Sequence, residues 1–429
     1  MNPMNSAHRY ALPVLAALVL ASASCTNSGT EPVPAATSVT AFEGARVLVG
    51  DGTDIDNATI VVDGPRIVQV GRAAEVTVPA GAQRVSLSGK TVMPAIVDTH
   101  THLSQTREAL TEDLLRRAYF GVGAAMSLGQ DRGDVPFQMR AESLPGAALY
   151  RTAGRGITMP EPGRSDAPYW ITSEAEGRKA VQELAAQKVD FVKIWVDDRN
   201  GQYKKLTPDL YGPIIEEAHK NGLRVTAHIF ALEDAKGLLR AGVDAFAHGI
   251  RDRDVDDEVM ALFKERPDVV VVPNLPDRGV ATDLGWLRGS VAAADLTKLQ
   301  EAAVDRPEAQ KAFGIQARNL ARLSAAGVRI ALGTDGNTPW GPHLEMADMV
   351  SAGMTPAQVI AASTSQAAQL MRLPDAGLLS IGKSADFIVL DASPLGDIAN
   401  TRRISAVYLR GDEIDRAGYR SKIAATPTQ

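Results

Sequence analysis

With 429 residues, 45% of them apolar, the chain is large enough for one α/β barrel and a smaller second unit, each with its own core. A formal net charge of −6 and the lack of any Lys/Arg run exclude a nucleic-acid surface, which needs clustered positive charge. The single cysteine, Cys25, excludes an internal disulfide framework and a thiolate metal site, so any metal must be held by nitrogen and oxygen.

At the N-terminus, His8 and Arg9 precede the apolar stretch 10–23, which is too short to span a bilayer as a helix and reads as an export signal over 1–24. Leu20-Ala21-Ser22-Ala23-Ser24-Cys25 resembles a bacterial lipobox, with Ser22 where a leucine usually stands. Lipidation of Cys25 followed by a Ser/Thr/Pro/Ala-rich tether over 25–40 predicts a lipid-anchored protein of the periplasm or cell envelope. Cleavage after Ala21-Ser22-Ala23 is the alternative and would release a soluble exported chain.

Residues 41–93 hold short β-rich runs separated by Gly50-Asp51-Gly52 and Asp63-Gly64, which are hairpin signals. The same style returns in 376–429, so both ends are expected to build one small β-sandwich. Between them, 94–375 alternates strands and helices, the pattern of parallel βα units. Eight strands are predicted, over 95–101, 123–128, 147–152, 191–196, 224–229, 245–249, 269–273 and 329–333. Eight closes a (β/α)8 TIM barrel. Thr207-Pro208 and Thr355-Pro356 mark helix starts, and Asn221-Gly222 marks a helix end. Residues 121–168 are Gly- and Pro-rich and read as largely loop.

Six residues fall at the ends of these apolar runs. His100 and His102, two apart on a strand, project from one face. Lys193 lies inside Phe191-Val192-Lys193-Ile194-Trp195-Val196, where an ordinary lysine is hard to solvate. His228 and His248 close successive strands, and Asp335 follows the last. In a βα barrel all strand carboxyl ends open onto one face, which would gather the six into a ring.

This set, over 41–416, resembles the amidohydrolase superfamily, and within it the imidazolonepropionase-like branch that includes Xaa-Pro dipeptidases. The resemblance implies that CO2 carboxylates Lys193, turning a cation into a bridging anion. It also implies one divalent metal on His100, His102, Lys193 and Asp335, and a second on Lys193, His228 and His248. Zinc is the default for such donors, with cobalt, manganese or iron also suited. The metals would activate a water between them, and Asp335 would serve as general acid and base.

Trp195, Arg155 and His343 are the candidate substrate contacts, with Arg251 and Arg278 as further cations near predicted loops; Asp98 is placed to orient a ligand or to fill the core, and His219 to face solvent. The expected reaction is hydrolysis of a small amide, such as a dipeptide or N-acyl amino acid, rather than of a protein chain. Hydrolysis of a lactone, ester or phosphotriester by the same centre is the alternative, and a metal- or ligand-binding lipoprotein without turnover is a third. A homo-oligomer is compatible with the sequence. Gly-x-Ser-x-Gly, His-Glu-x-x-His and Walker-type signatures do not occur.

Overall fold

A computed structural model describes residues 39–425. The export signal, Cys25 and most of the tether lie outside the described residues.

Strand Val39–Leu48 pairs antiparallel with Asp54–Asp63, which pairs in turn with Arg66–Arg72. On its other side it runs parallel to Gln83–Ser86 and Thr91–Pro94. Phe387–Leu390 then adds antiparallel to Thr91–Pro94, followed by Ile404–Leu409 and Asp412–Glu413. Both ends of the described chain thus share one eight-stranded sheet. Its apolar face is organised by aromatic rings: Phe387 stacks on Tyr408 at 4.7 Å and meets Phe42 edge-on at 5.1 Å.

The middle of the chain forms two parallel sheets and has a TIM-barrel-like α/β fold. One comprises Ile96–Thr101, Val122–Ser127 and Leu149–Thr152. The other runs Tyr169–Trp170, Ile157–Thr158, Val192–Val196, Val225–Ile229, Ala245–Ala247, Val270–Val272 and Arg329–Ile330. Strands occur at all eight expected positions, including the two in the Gly- and Pro-rich stretch. Two further short strands, Ile157–Thr158 and Tyr169–Trp170, were not foreseen. The last ladder is shorter than expected, but hydrogen bonding continues beyond it: Thr99 N donates to Leu332 O at 3.1 Å, and Thr334 N to His100 O at 3.0 Å.

Helices cover these strands because their apolar residues recur on one side. In Glu174–Ala186, capped by Ser173 and Glu176 in a capping box, Val181 and Leu184 are buried. In the neighbouring Pro208–Lys220 the buried set is Tyr211, Ile214, Ile215 and Ala218. Each such aliphatic side chain contributes roughly 1.5–3 kcal/mol on burial. Thr207 stands at the expected cap position of this helix, yet its side chain makes no capping hydrogen bond; Pro208 alone sets the start. Helix Leu232–Ala241 stops at Gly242, whose φ of 100° few other residues adopt. That stop returns the chain at once into Ala245–Ala247, delivering His248 to the same face as His228.

Candidate metal centre

The histidines converge on one carboxylate. Asp335 Oδ1 lies 2.9 Å from His102 Nε2 and 3.1 Å from His100 Nε2, and its Oδ2 lies 3.5 Å from His248 Nε2. His100, His248 and Asp335 offer ligand atoms that all fall within 4.8 Å of one another. His228 joins through His248, their ring centroids 4.5 Å apart. Lys193 is fully buried on the strand that bears it, and its Nζ sits 5.4 Å from the Trp195 ring.

The backbone is strained where this happens. His248, Asp335 and Asn274 adopt φ of 140°, 54° and 43°, a region that residues other than glycine rarely occupy. Strain of this kind, roughly 1–3 kcal/mol per residue, persists only where the surroundings over-determine it. Asp98 supplies part of that constraint, its carboxylate receiving hydrogen bonds from Thr334 Oγ1 at 2.8 Å, Thr334 N at 3.2 Å and His100 N at 3.3 Å. Burial pushes its carboxyl up to about 6.

Electrostatics keeps the nitrogen donors in their metal-binding form. Burial pushes His100 down to about 4, with the charge of Lys193 adding to it, and His228 down to about 3. His248 is depressed well below the usual range, again by burial first. Burial also pushes the Lys193 amine down to about 7, so its neutral, nucleophilic form is accessible near neutral pH. Asp335 moves the other way: burial opposes ionisation, but the surrounding imidazoles outweigh it and hold the carboxyl far below the ordinary range.

Several buried polar atoms in this cluster have no hydrogen-bond partner among the described residues: Lys193 Nζ, His248 Nδ1, His102 Nδ1, and His100 Nε2, whose approach to Asp335 lacks hydrogen-bond geometry. Leaving one such group unsatisfied costs about 1–3 kcal/mol. A neutral amine and neutral imidazoles beside a carboxylate are what a divalent cation requires, so the donor set fits a metal.

Three supporting residues escaped sequence analysis. Asn274 Oδ1 lies 2.9 Å from His100 Nδ1, the bond that orients a ligating imidazole. Asp197 Oδ2 and Arg199 Nη1 lie 2.8 and 2.9 Å from His228 Nε2. All three are polar residues just beyond strand ends, the position that had already singled out the histidines.

The candidate substrate contacts are largely committed elsewhere. His343 is a correction: it is 1% exposed, with Nε2 2.9 Å from Phe120 O and Nδ1 3.1 Å from Thr401 Oγ1, and it packs the interior. Arg155 donates to the carbonyls of Ala167 and Pro168 and lies over Tyr169 at 4.1 Å, stapling its own loop. Arg278 pairs with Asp348 and Ser351. Trp195 is 8% exposed and wedged between Gly129 and Gly156. A Cβ on Gly156 would lie 2.0 Å from Trp195 Cζ3, and one on Gly129 would lie 2.5 Å from Trp195 Cη2 and 2.8 Å from Lys193 Cγ. Gly156→Ala is therefore expected to lower thermal stability by an amount equivalent to about 1–3 kcal/mol and to shift tryptophan fluorescence. An unchanged melting curve would show that the ring has room to move. His219, by contrast, is half-exposed and pairs with Asp244 at 2.9 Å.

A TIM-barrel-like scaffold that presents imidazoles and a carboxylate at the carboxyl ends of its strands defines a hydrolytic enzyme. The chain belongs to the amidohydrolase family, whose profile matches residues 167–414, and to the imidazolonepropionase- and prolidase-like branch of that superfamily. It is 26% identical over 397 residues to an imidazolonepropionase of Deinococcus radiodurans, covering 85% of this chain and 94% of that protein. It is also 26% identical over 423 residues to ochratoxinase of Aspergillus niger, covering 84% and 82%. Among solved structures, a putative prolidase from Bifidobacterium longum superimposes with a TM-score of 0.73 at 25% identity, covering 91% of this chain and all of that one.

Proposed function

We propose that this enzyme is a binuclear metal-dependent hydrolase that cleaves the amide bond of a small substrate such as a dipeptide or an N-acyl amino acid. The observation that carries the reading is the convergence of three imidazoles on Asp335 beside a fully buried lysine amine that has no hydrogen-bond partner among the described residues. His100, His102, Asp335 and carboxylated Lys193 would hold one metal, and Lys193, His228 and His248 the other. Zinc suits these donors, as do cobalt, manganese and iron. When bound, the metals supply an acidified water and polarise the substrate carbonyl. The same reading takes the two parallel sheets as one closed eight-stranded barrel. Asp190 N donating to Thr152 O at 2.9 Å and Thr99 N donating to Leu332 O at 3.1 Å support it.

The chain's own groups have separable tasks. Asp335, just over one-third exposed at the mouth, is placed to accept a proton from water and to return it to the leaving nitrogen. Asn274 fixes the His100 ring, and Asp197 with Arg199 fixes His228. Asp98 and Thr334 hold the backbone on either side of Asp335 and His100.

Protein grown with ample zinc or manganese is expected to carry two equivalents of metal per chain by elemental analysis. It should hydrolyse members of a panel of N-acyl amino acids and Xaa-Pro dipeptides, lose that activity to a chelator and regain it on metal addition. Less than one equivalent, or turnover of esters and lactones alone, would overturn the proposal.

A further inference from the structure

We propose that Arg117 is a positioning residue for Asp335: from helix Arg107–Tyr119 its guanidinium clamps residues 336 and 337, and so fixes the carboxylate against the histidines. The clamp rests on the role given to Asp335 in the amide-hydrolase reading and adds the group that holds that carboxylate in place.

Arg117 lies in the last turn of its helix beside the buried apolar residues Leu110, Leu114 and Ala118, and is itself 1% exposed. A methionine or leucine would fill that position without desolvating a charge, so packing alone does not call for a guanidinium there. Burial opposes its charge, while Asp98 and Asp113 favour it. Its Nη1 donates to Asn337 Oδ1 at 2.9 Å and its Nη2 to Gly336 O at 3.3 Å. Asn337 Nδ2 in turn donates to Asp113 Oδ2 at 2.8 Å, and the same oxygen accepts from Ser104 N at 2.9 Å. Asp113 stands one helical turn before Arg117, so two residues of one helix grip both ends of the Asn337 amide.

The loop held in this way is a strained one. Asp335 has a φ of 54°, and the strand end bearing His100 and His102 meets the same turn: Asp335 N donates to His100 O at 2.8 Å, and His102 N to Gly336 O at 3.3 Å. Gly336 O therefore receives the backbone of His102 as well as Arg117. Relaxing Asp335 toward an ordinary negative φ would drag Gly336 and Asn337 off these partners. A rigid planar fork anchored in a helix is suited to over-determining such a backbone. Without it, Asp335 regains freedom while His100 and His102 stay on their strand.

The test uses Arg117→Met, which removes the fork, and Arg117→Lys, which keeps the charge alone and carries the test if the methionine variant does not fold. Hydrogen–deuterium exchange is read by mass spectrometry at His102, Thr334 and Asp335, whose amides bond across this seam. Exchange there should quicken about tenfold or more in the folded variants and stay unchanged in the β-sandwich strands. On an N-acyl amino acid or Xaa-Pro dipeptide that wild-type enzyme cleaves, kcat per metal-loaded chain should fall about 10–100-fold, with KM within about threefold. Combining Arg117→Met or Arg117→Lys with Asp335→Asn should cost no more than about twofold beyond Asp335→Asn alone, since a residue acting through the carboxylate then has nothing to position. Unchanged exchange at Asp335, or losses that multiply in the double variant, would refute the clamp while the amide-hydrolase reading stands. If esters or lactones are cleaved and amides are not, the amide reading falls, and the same cycle run on those substrates decides the role of Arg117. Wild-type enzyme that cleaves none of them sinks both.

Discussion

Lys193→Ala is expected to abolish most turnover while leaving the folded structure intact. The side chain is fully buried on strand Val192–Val196, and its amine has no hydrogen-bond partner among the described residues. A buried, unpaired ammonium is costly to hold, so its removal relieves a penalty that offsets much of the cavity created. Stability measured by denaturant should therefore change little. Activity should fall well beyond the ~10–100-fold that losing a residue supporting a metal ligand costs, because the group proposed to be shared between two metals would be gone. Since burial brings the amine to about 7, enough of it is neutral near that pH to add CO2. In the alanine variant, bicarbonate or a short carboxylic acid such as propionate should occupy the vacated volume and restore part of both metal content and rate. A variant as active as wild type would show that the lysine is structural, and elemental analysis beside steady-state kinetics would reveal it.

Asp335→Asn is expected to lower kcat by about 10²–10⁴-fold, the usual contribution of a positioned acid and base. The substitution isolates chemistry from folding. Asp335 sits at φ 54°, and asparagine tolerates that left-handed conformation better than most residues. The amide preserves shape and can still accept a hydrogen bond from His102 Nε2, now 2.9 Å from Oδ1. It cannot take a proton from water at neutral pH. Metal analysis and kcat should therefore separate, with much of the metal retained and the rate lost. Unchanged turnover would defeat the role given to this carboxylate.

Much of the scaffold was legible before the structure. Apolar runs bounded by glycine and capping residues placed all eight central strands, because a strand covered on both faces must be continuously apolar. The two strands at 157–158 and 169–170 were invisible because two-residue ladders have no periodicity, and Arg155, not an apolar run, holds their loop in place. Asn274, Asp197 and Arg199 were missed for a related reason. A single polar residue after a strand carries no signal of its own until its distance to a histidine is known. His343 misled in the opposite sense: it follows the last strand in sequence, but helix Gly341–Ser351 turns it inward against Phe120.

The sequence alone determined the residue types and their order along the chain: imidazoles two apart on one strand, a lysine where only apolar groups belong, and an aspartate after the last strand. Side-chain period and apolar patterning are local properties, so they survive in one dimension. The tertiary structure alone decided that three of those imidazoles face one carboxylate and that, among the described residues, the lysine amine has no hydrogen-bond partner. Distances of 3 Å between residues more than a hundred positions apart arise only when strands align side by side and bring their carboxyl ends together.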